Sequence, residues 1–284
     1  MSRLEEEPQL SIGDVVKATG LGEATLRAWE RRYGFPQPRR EPSGHRRYGA
    51  EDVERILRVV GERERGIALP LAIERVRAAA TGASSLFALL RARHPDLQPM
   101  TVHKGNLIPL ARAIEEESAA RAERALLIGC FQRERFYRHS ERRWRELARG
   151  AEAAFVFADF ERVRQPADGP AELPIERSHP VSREWALVCA APEHGACMVA
   201  WEPPGRPHPG DAQREFELLL SVEPAVVREA AETATALAAP IAPELAEQAR
   251  TYLEGLAPPR AENQLRLSGS ITARLLSSLR GSLN

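Results

Sequence analysis

Lysine is almost missing from this chain, standing only at positions 17 and 104, so nearly all of its 40 basic side chains are arginine. That shortage reads as compositional bias. No apolar run approaches the roughly 18 residues that cross a bilayer, which excludes a membrane-spanning helix. The start, "MSRLEEEPQL", is acidic and has no apolar core, so it is not a secretory signal. Three cysteines, at 130, 189 and 197, are too few and too unevenly placed for a disulfide framework, and a reducing cytoplasm is the expected location. An excess of either charge is also missing, because 40 basic residues meet 40 acidic ones.

The familiar catalytic signatures are absent too. There is no G-x-S-x-G elbow to present a nucleophilic serine, no G-x-x-x-x-G-K phosphate loop and no G-x-G-x-x-G fingerprint. The three glutamates at 115–117 point in different directions if helical, and Glu117 has Arg121 four residues on, which suits ion pairing better than acid–base work. Cys189, His194 and Cys197 have a spacing that a hairpin could turn into a metal site. A fourth ligand is missing, and buried cysteine usually serves as a small hydrophobe. We expect no enzyme, no catalytic residue, no metal and no cofactor.

Against that neutral background one stretch stands out. "LRAWERRYGFPQPRREPSGHRRY", residues 26–48, holds seven arginines and two glutamates, with Trp29, Tyr33, Phe35 and Tyr48 among them. Before it, "SIGDVVKATG" reads as a helix capped by Ser11 and stopped at Gly20, and "GEATLRAWERRYG" as a second helix after a tight turn. Three prolines and a glycine make 35–44 a loop. "AEDVERILRVVGERER" resumes the helical period with Val53, Ile56, Leu57 and Val60 on one face, and "LPLAIERVRAA" gives a fourth helix. Helix, tight turn, helix offers its second helix to a DNA major groove, with Thr25 and Arg27 in reach and Leu26 turned inward. The arginine loop supplies a second contact, mainly to phosphate.

This segment, from "LSIGDVVKATG" through "TLRAWE" and "SGHRRY" to "EDVERI", resembles the winged-helix domain of the MerR family of bacterial regulators. The resemblance covers roughly residues 10–78. It implies that Thr25, Arg27 and Trp29 face double-stranded DNA from the recognition helix, and that Arg46 and Tyr48 do so from the wing, beside Arg39, Arg40 and His45. Ala28 stands where many members carry an aromatic. The long dimerising helix of the metal and drug sensors is not evident after residue 80, so the homodimer expected for paired half-sites needs another surface. Some regulators with this kind of head bind cobalamin through D-x-H-x-x-G, a motif found at none of the seven histidines here.

After the small-residue break "ATGASS" the pattern becomes α/β. "ALLIGCF" and "AAFVFADF" read as buried strands around a helix at "SERRWRELARG". "EWALVCAA" and "ACMVAWEP" form a strand pair across "PEHG", and "FELLLSVEPAVVREAAETATALA" leads into a helix. "SLFALLRARHPDL", the segment from "LARAIEEES" to "FVFADF", and "SREWALVCAAPEHGACMVAWEPPG" resemble the DICT domain, a sensory module, which implies sensing of a small-molecule or protein signal. The expected fold is mainly α with an α/β part. An all-α winged helix-turn-helix spans 10–80, an α/β sensory domain 85–250 and a C-terminal tail 251–284, mobile or weakly amphipathic.

Within the second part, residues 129–144 follow a strand, where open α/β sheets place ligands. Gln132, Arg133, Arg135 and Tyr137 there, with Asp159 ending the next strand, are candidates for an anionic or planar ligand such as a nucleotide. A basic helix with core aromatics and solvated arginines is the plainer alternative. The reading is a DNA-binding regulator with a sensory domain. Its alternatives are a signalling adaptor that binds DNA weakly and a nucleotide-acting enzyme.

Overall fold

Ser11 and Asp14 start the first helix by exchanging hydrogen bonds. The serine hydroxyl accepts from the Asp14 amide (3.3 Å) and the Asp14 carboxylate accepts from the Ser11 amide (2.9 Å). In the computed structural model, which describes residues 10–41, 45–73, 76, 85–121, 124–204 and 210–281, this box opens α1 (Ile12–Thr19). Gly20 closes it with φ +72°, and Gly34 closes α2 (Glu23–Tyr33) with φ +62°, a backbone region that disfavours larger residues. The chain divides into two units, at residues 1–83 and 84–284.

Three helices and a small hairpin are seen among the described residues of the first unit. β1 (Arg39–Arg40) pairs antiparallel with β2 (Arg46–Arg47), and α3 (Ala50–Glu64) follows, with a further helical turn over 69–73. Tyr48 ties the hairpin back to the chain start, its amide and carbonyl bonding Leu10 at 3.0 and 2.8 Å. Val15, Leu26, Trp29, Phe35, Tyr48, Ile56, Val59 and Ile73 share one core. On α3 the apolar stripe is shifted from the expected one: Val59 is buried, while Leu57 is 45% exposed. Two consecutive valines at 59 and 60 let the helix turn either over the core, and packing selects Val59.

The second unit is built on seven strands in the order β3-β9-β8-β7-β4-β5-β6. These are β3 (Met100–His103), β4 (Leu126–Cys130), β5 (Ala153–Ala158), β6 (Ala171–Pro174), β7 (Glu184–Ala190), β8 (Gly195–Trp201) and β9 (Glu215–Ser221). β4, β5 and β6 run parallel and the remaining neighbours antiparallel. Every residue of β4 and β8 is buried, the pattern of strands covered on both faces.

Helices supply the two covers. α4 (Leu86–Arg93), α8 (Pro224–Ala238) and α9 (Pro243–Gly255) lie on one side, α8 against β7 and β8 and Phe87 stacked on Trp201 at 5.8 Å. α5 (Lys104–Arg121), α6 (Glu134–Arg138), α7 (Glu141–Ala148) and α10 (Ala261–Gly281) hold the other, where Leu127, Cys189 and Met198 share a core with Ile114, Tyr137, Trp144 and Leu267. Of the two readings of the C-terminal tail, mobile or amphipathic, the structure has the helical one, and it is packed. Leu267 and Ile271, one turn apart, are 1% and 5% exposed, and Arg274 bonds Glu117 at 2.8 Å. Among the described residues no helix is long and apolar enough to cross a membrane.

Candidate DNA-binding and ligand-binding sites

Glu30 organises the cationic surface of the first unit. Its carboxylate accepts from Arg46 on β2 through Nε (2.6 Å) and Nη2 (3.2 Å), and from Arg40 on β1 (3.0 Å). One acid on α2 thus clamps both strands of the hairpin. Burial pushes the Glu30 carboxyl up, and the hydrogen bonds and charges of Arg46 and Arg40 together outweigh it, leaving it below the ordinary 4.5. Arg47 is likewise held, by Glu41 at 2.8 Å.

Thr25, Arg27, Arg39, Arg40 and His45 are exposed, and Arg46 is half-buried at the clamp. Arg27 is paired with Glu23 one turn earlier. Arg31 and Arg39 make no ion pair among the described residues, and Arg32 rests over the Tyr33 ring at 5.5 Å. These exposed cations sit on the second helix and the adjoining hairpin, an arrangement able to meet a polyanion at two places. Gly44 lies outside the described residues.

Two expected contact residues are corrected. Trp29 is 6% exposed and Tyr48 2%, both in the core of this unit, Trp29 tilted against Phe35 at 6.4 Å between ring centroids. On α2 the inward positions are Leu26 and Trp29, three residues apart, so Trp29 shares the stripe that holds the helix down. Tyr48 leaves the hairpin at the bridge to Leu10 and drops into the same core.

In the second unit the five candidate residues separate. Gln132 is buried and engaged, donating to the Arg183 carbonyl (3.1 Å) and Glu202 (2.9 Å) and accepting from Arg214 (2.5 Å). Asp159 receives the Glu134 amide (2.7 Å) at the start of α6 and Arg177 (3.0 Å), with Arg133 at 3.9 Å. Arg135 is exposed beside the Phe136 ring. Tyr137 is a correction, since its ring is 1% exposed and packs edge-on with Phe131 and Phe160. α6 is one short turn with Tyr137 on its inner side, while Arg135 is exposed and Glu134 and Arg138 are partly so.

A cavity of about 350 Å³ opens beside these residues, and Gln132 is the one candidate that lines it. The rest of its lining was not foreseen. Lys104, Arg112 and Glu115 come from α5, Phe131 and Phe136 from the chain around α6, Arg143 from α7 and Trp185 from β7. Glu115 is 5% exposed, paired with Arg143 and accepting the Trp144 indole N–H at 3.1 Å. Burial pushes its carboxyl up despite those donors. The sequence signal available was the triple glutamate, because on one helix only some of three consecutive acids can face water. A second hollow, about 450 Å³, lies where β7 turns into β8 and is mostly apolar, and its Arg228 is committed to the Leu253 and Leu256 carbonyls.

The hairpin register separates the two cysteines. Cys197 pairs with Val188 and Cys189 with Ala196, which puts the thiols on opposite faces, and the described residues hold no group of three or more metal-ligating side chains.

Residues 10–78 match the model of the MerR HTH family regulatory proteins, and residues 83–203 match the DICT domain, described as a sensory domain in diguanylate cyclases and two-component systems. The chain is a MerR-type head joined to a DICT sensory domain. Curated relatives match its MerR-type head. An HTH-type transcriptional repressor, CarA, of Myxococcus xanthus is 47% identical over 70 residues, 24% of each chain. An HTH-type transcriptional regulator, MlrA, of Escherichia coli is 41% identical over 49 residues, 17% of this chain and 20% of its own. MlrA of Salmonella typhimurium matches to the same extent. The chain thus spans a quarter or less of the length of these relatives.

Proposed function

We propose that this MerR–DICT chain is a sequence-specific, DNA-binding transcription regulator that works as a homodimer in the cytoplasm, with its DICT domain taking the signal that alters DNA binding. The observation that carries the reading is the Glu30 clamp, which fixes an arginine hairpin beside the helix that bears Thr25 and Arg27. A solvated charge cluster has no need of a fixed geometry. Thr25 and Arg27 read or flank base edges from α2, and Arg39, Arg40, His45 and Arg46 neutralise phosphate from the wing. Trp29 and Tyr48 support these contacts from the core.

Regulation requires the signal to bind two conformations unequally. The matching relatives, named as a transcriptional repressor and a regulator, support the same class for the head. The test is retention of DNA from upstream of the protein's own gene against scrambled DNA, at several salt concentrations, with Arg27→Ala and Arg39→Ala alongside. Specific retention that weakens in both variants and falls steeply with salt is expected. Equal, weak retention of both DNAs would overturn the reading and favour an adaptor.

A further inference from the structure

The charges lining the cavity beside α5 do not cancel. Three cations, Lys104, Arg112 and Arg143, face two carboxylates, Glu115 and Asp211. Two of the cations are spoken for inside the protein: Lys104 pairs with Asp211, and Arg143 with Glu115. Arg112 makes no hydrogen bond or ion pair among the described residues, acts on the Glu115 carboxylate only through its charge, and is an exposed residue of α5 that lines the cavity. Glu116, one turn further on, is occupied by Arg274 at 3.3 Å.

The uncharged part of the wall is aromatic and aliphatic: Phe131, Phe136, Trp185 and Ile108. Trp185 is half-buried although it stands on an otherwise buried strand. Ile108, 39% exposed, is among the few large apolar side chains left in water. Phe136 already carries the Lys104 ammonium over its ring at 4.0 Å, which leaves Trp185 as the flat surface for a second ring. His139 and Ser140 add hydrogen-bonding groups to the lining. The volume suits a small ligand of one or two rings.

We infer that this cavity binds a small planar aromatic anion, its ring against Trp185 and Ile108 and its carboxylate or phosphate on the Arg112 guanidinium. A neutral aromatic leaves Arg112 unanswered, and a bare anion leaves the apolar wall wet. The same chemistry is offered by an aromatic carboxylate and by a nucleoside monophosphate. As the regulator's signal this ligand rests on the function proposed above, whereas the site itself stands on the cavity alone.

The experiment is titration calorimetry of the full chain without DNA. One arm uses benzoate and indole-3-acetate, with neutral indole as its match. The other uses adenosine and guanosine monophosphates, with neutral adenosine. Acetate and inorganic phosphate supply the anion without a ring. At least one aromatic anion should bind, with its neutral match and the ringless anion each weaker by tenfold or more. Arg112→Gln, at an exposed position that leaves the fold intact by circular dichroism, should weaken that ligand about tenfold or more, the scale of a charged hydrogen bond. Absence of binding in both arms at about 1 mM ligand, the scale of a weak small-ligand complex, or affinity unchanged by Arg112→Gln, overturns the assignment. Because no DNA is present, such a failure leaves the DNA-binding reading untouched, and loss of operator binding leaves this site untouched.

Discussion

The Arg46 guanidinium of the wing reaches Glu30 of α2 with two nitrogens, Nε at 2.6 Å and Nη2 at 3.2 Å. Arg40 joins them from the opposite strand at 3.0 Å. Two of the wing arginines are thus held by the protein, and their positions relative to the helix are set before any DNA arrives. Such preorganisation favours a specific complex by reducing the ordering left to do on binding. Glu30→Gln keeps the shape and removes the charge that holds both arginines. The expected result is tighter binding to scrambled DNA, from the added net positive charge, and a smaller ratio of specific to scrambled affinity. Retention of both DNAs by the variant, measured at one fixed salt concentration, checks this. An unchanged ratio would show that the clamp plays no part in discrimination.

The same clamp gives the first unit a pH dependence. The Glu30 carboxyl lies below its ordinary 4.5, with burial opposing and the two arginines prevailing. Asp14 lies below 3.8, chiefly through its hydrogen bonds with Ser11. A carboxyl depressed in the folded state adds stability that is present above its unfolded value and lost as pH falls through the folded one. Thermal melting followed from pH 7 downward should therefore show the first unit weakening below about pH 4.5, the unfolded value of a glutamate. Glu30→Gln should flatten that fall and lower the neutral-pH stability by about 1 kcal/mol, the scale of a solvent-screened pair. A melting curve of the variant with the same acid slope would assign the loss elsewhere.

Arg39 differs from its neighbours in being exposed with no ion pair among the described residues. Its contribution to DNA binding should be that of one uncommitted phosphate contact. Arg39→Ala is expected to weaken binding to specific and scrambled DNA alike. It should also lower the slope of log affinity against log salt by about 1. Arg46→Ala, which also frees Glu30, should lose more on specific DNA than on scrambled DNA. If the Arg39 slope does not move, the wing does not track phosphate.

Trp29 separates framework from contact. Its ring is buried with Phe35, Leu26 and Ile56, so Trp29→Ala should cost about 3–5 kcal/mol and unfold or loosen the first unit. Trp29→Phe, which keeps most of the packing, should leave DNA affinity within a few-fold. A stable Trp29→Ala protein that merely lost DNA binding would return this residue to the DNA surface. Near-ultraviolet circular dichroism together with a binding isotherm distinguishes the two.

How far these features were readable in advance follows from what each residue reports locally. Ser11, Gly20, Gly34 and the prolines of 35–44 act through their own backbone, so the ends of α1 and α2 and the non-helical break before α3 were legible, whereas the two-residue strands Arg39–Arg40 and Arg46–Arg47 were not. The all-apolar runs that became β4, β5 and β8 were equally plain. β3 ("MTVH") and β6 ("AELP") were not, because they are edge strands of four residues with polar or proline content. Side-chain direction was the main loss. A motif containing Trp29 and Tyr48 gives their place in the chain, while only the packed helices decide that both point inward. Likewise three consecutive glutamates at 115–117 signal that not all can face water, but not that Glu115 is the one buried against Trp144 while Glu116 stays in water. The cavity was half visible: Gln132 was named from its place after β4, whereas Arg112 and Trp185 come from α5 and β7 and meet it only in three dimensions.

Gln264 decides whether α10 belongs to the DICT-bearing unit. Its side chain is 6% exposed and satisfies both backbone groups of Gly195, accepting from the amide at 3.1 Å and donating to the carbonyl at 3.1 Å, while also donating to the Val222 carbonyl. One amide thus joins the last helix to the start of β8 and to the end of β9. Leucine is close in size and can make none of these bonds, so Gln264→Leu leaves buried backbone groups without their partner. The expected cost is about 2–4 kcal/mol, from desolvated groups whose hydrogen bonds are lost. Urea denaturation reads that cost, and limited proteolysis should then release residues beyond 256–260 early. A variant with the wild-type midpoint and proteolytic pattern would mean that α10 rests on the sheet without holding it. In that case Leu267 and Ile271, and not the amide, are what bury its face.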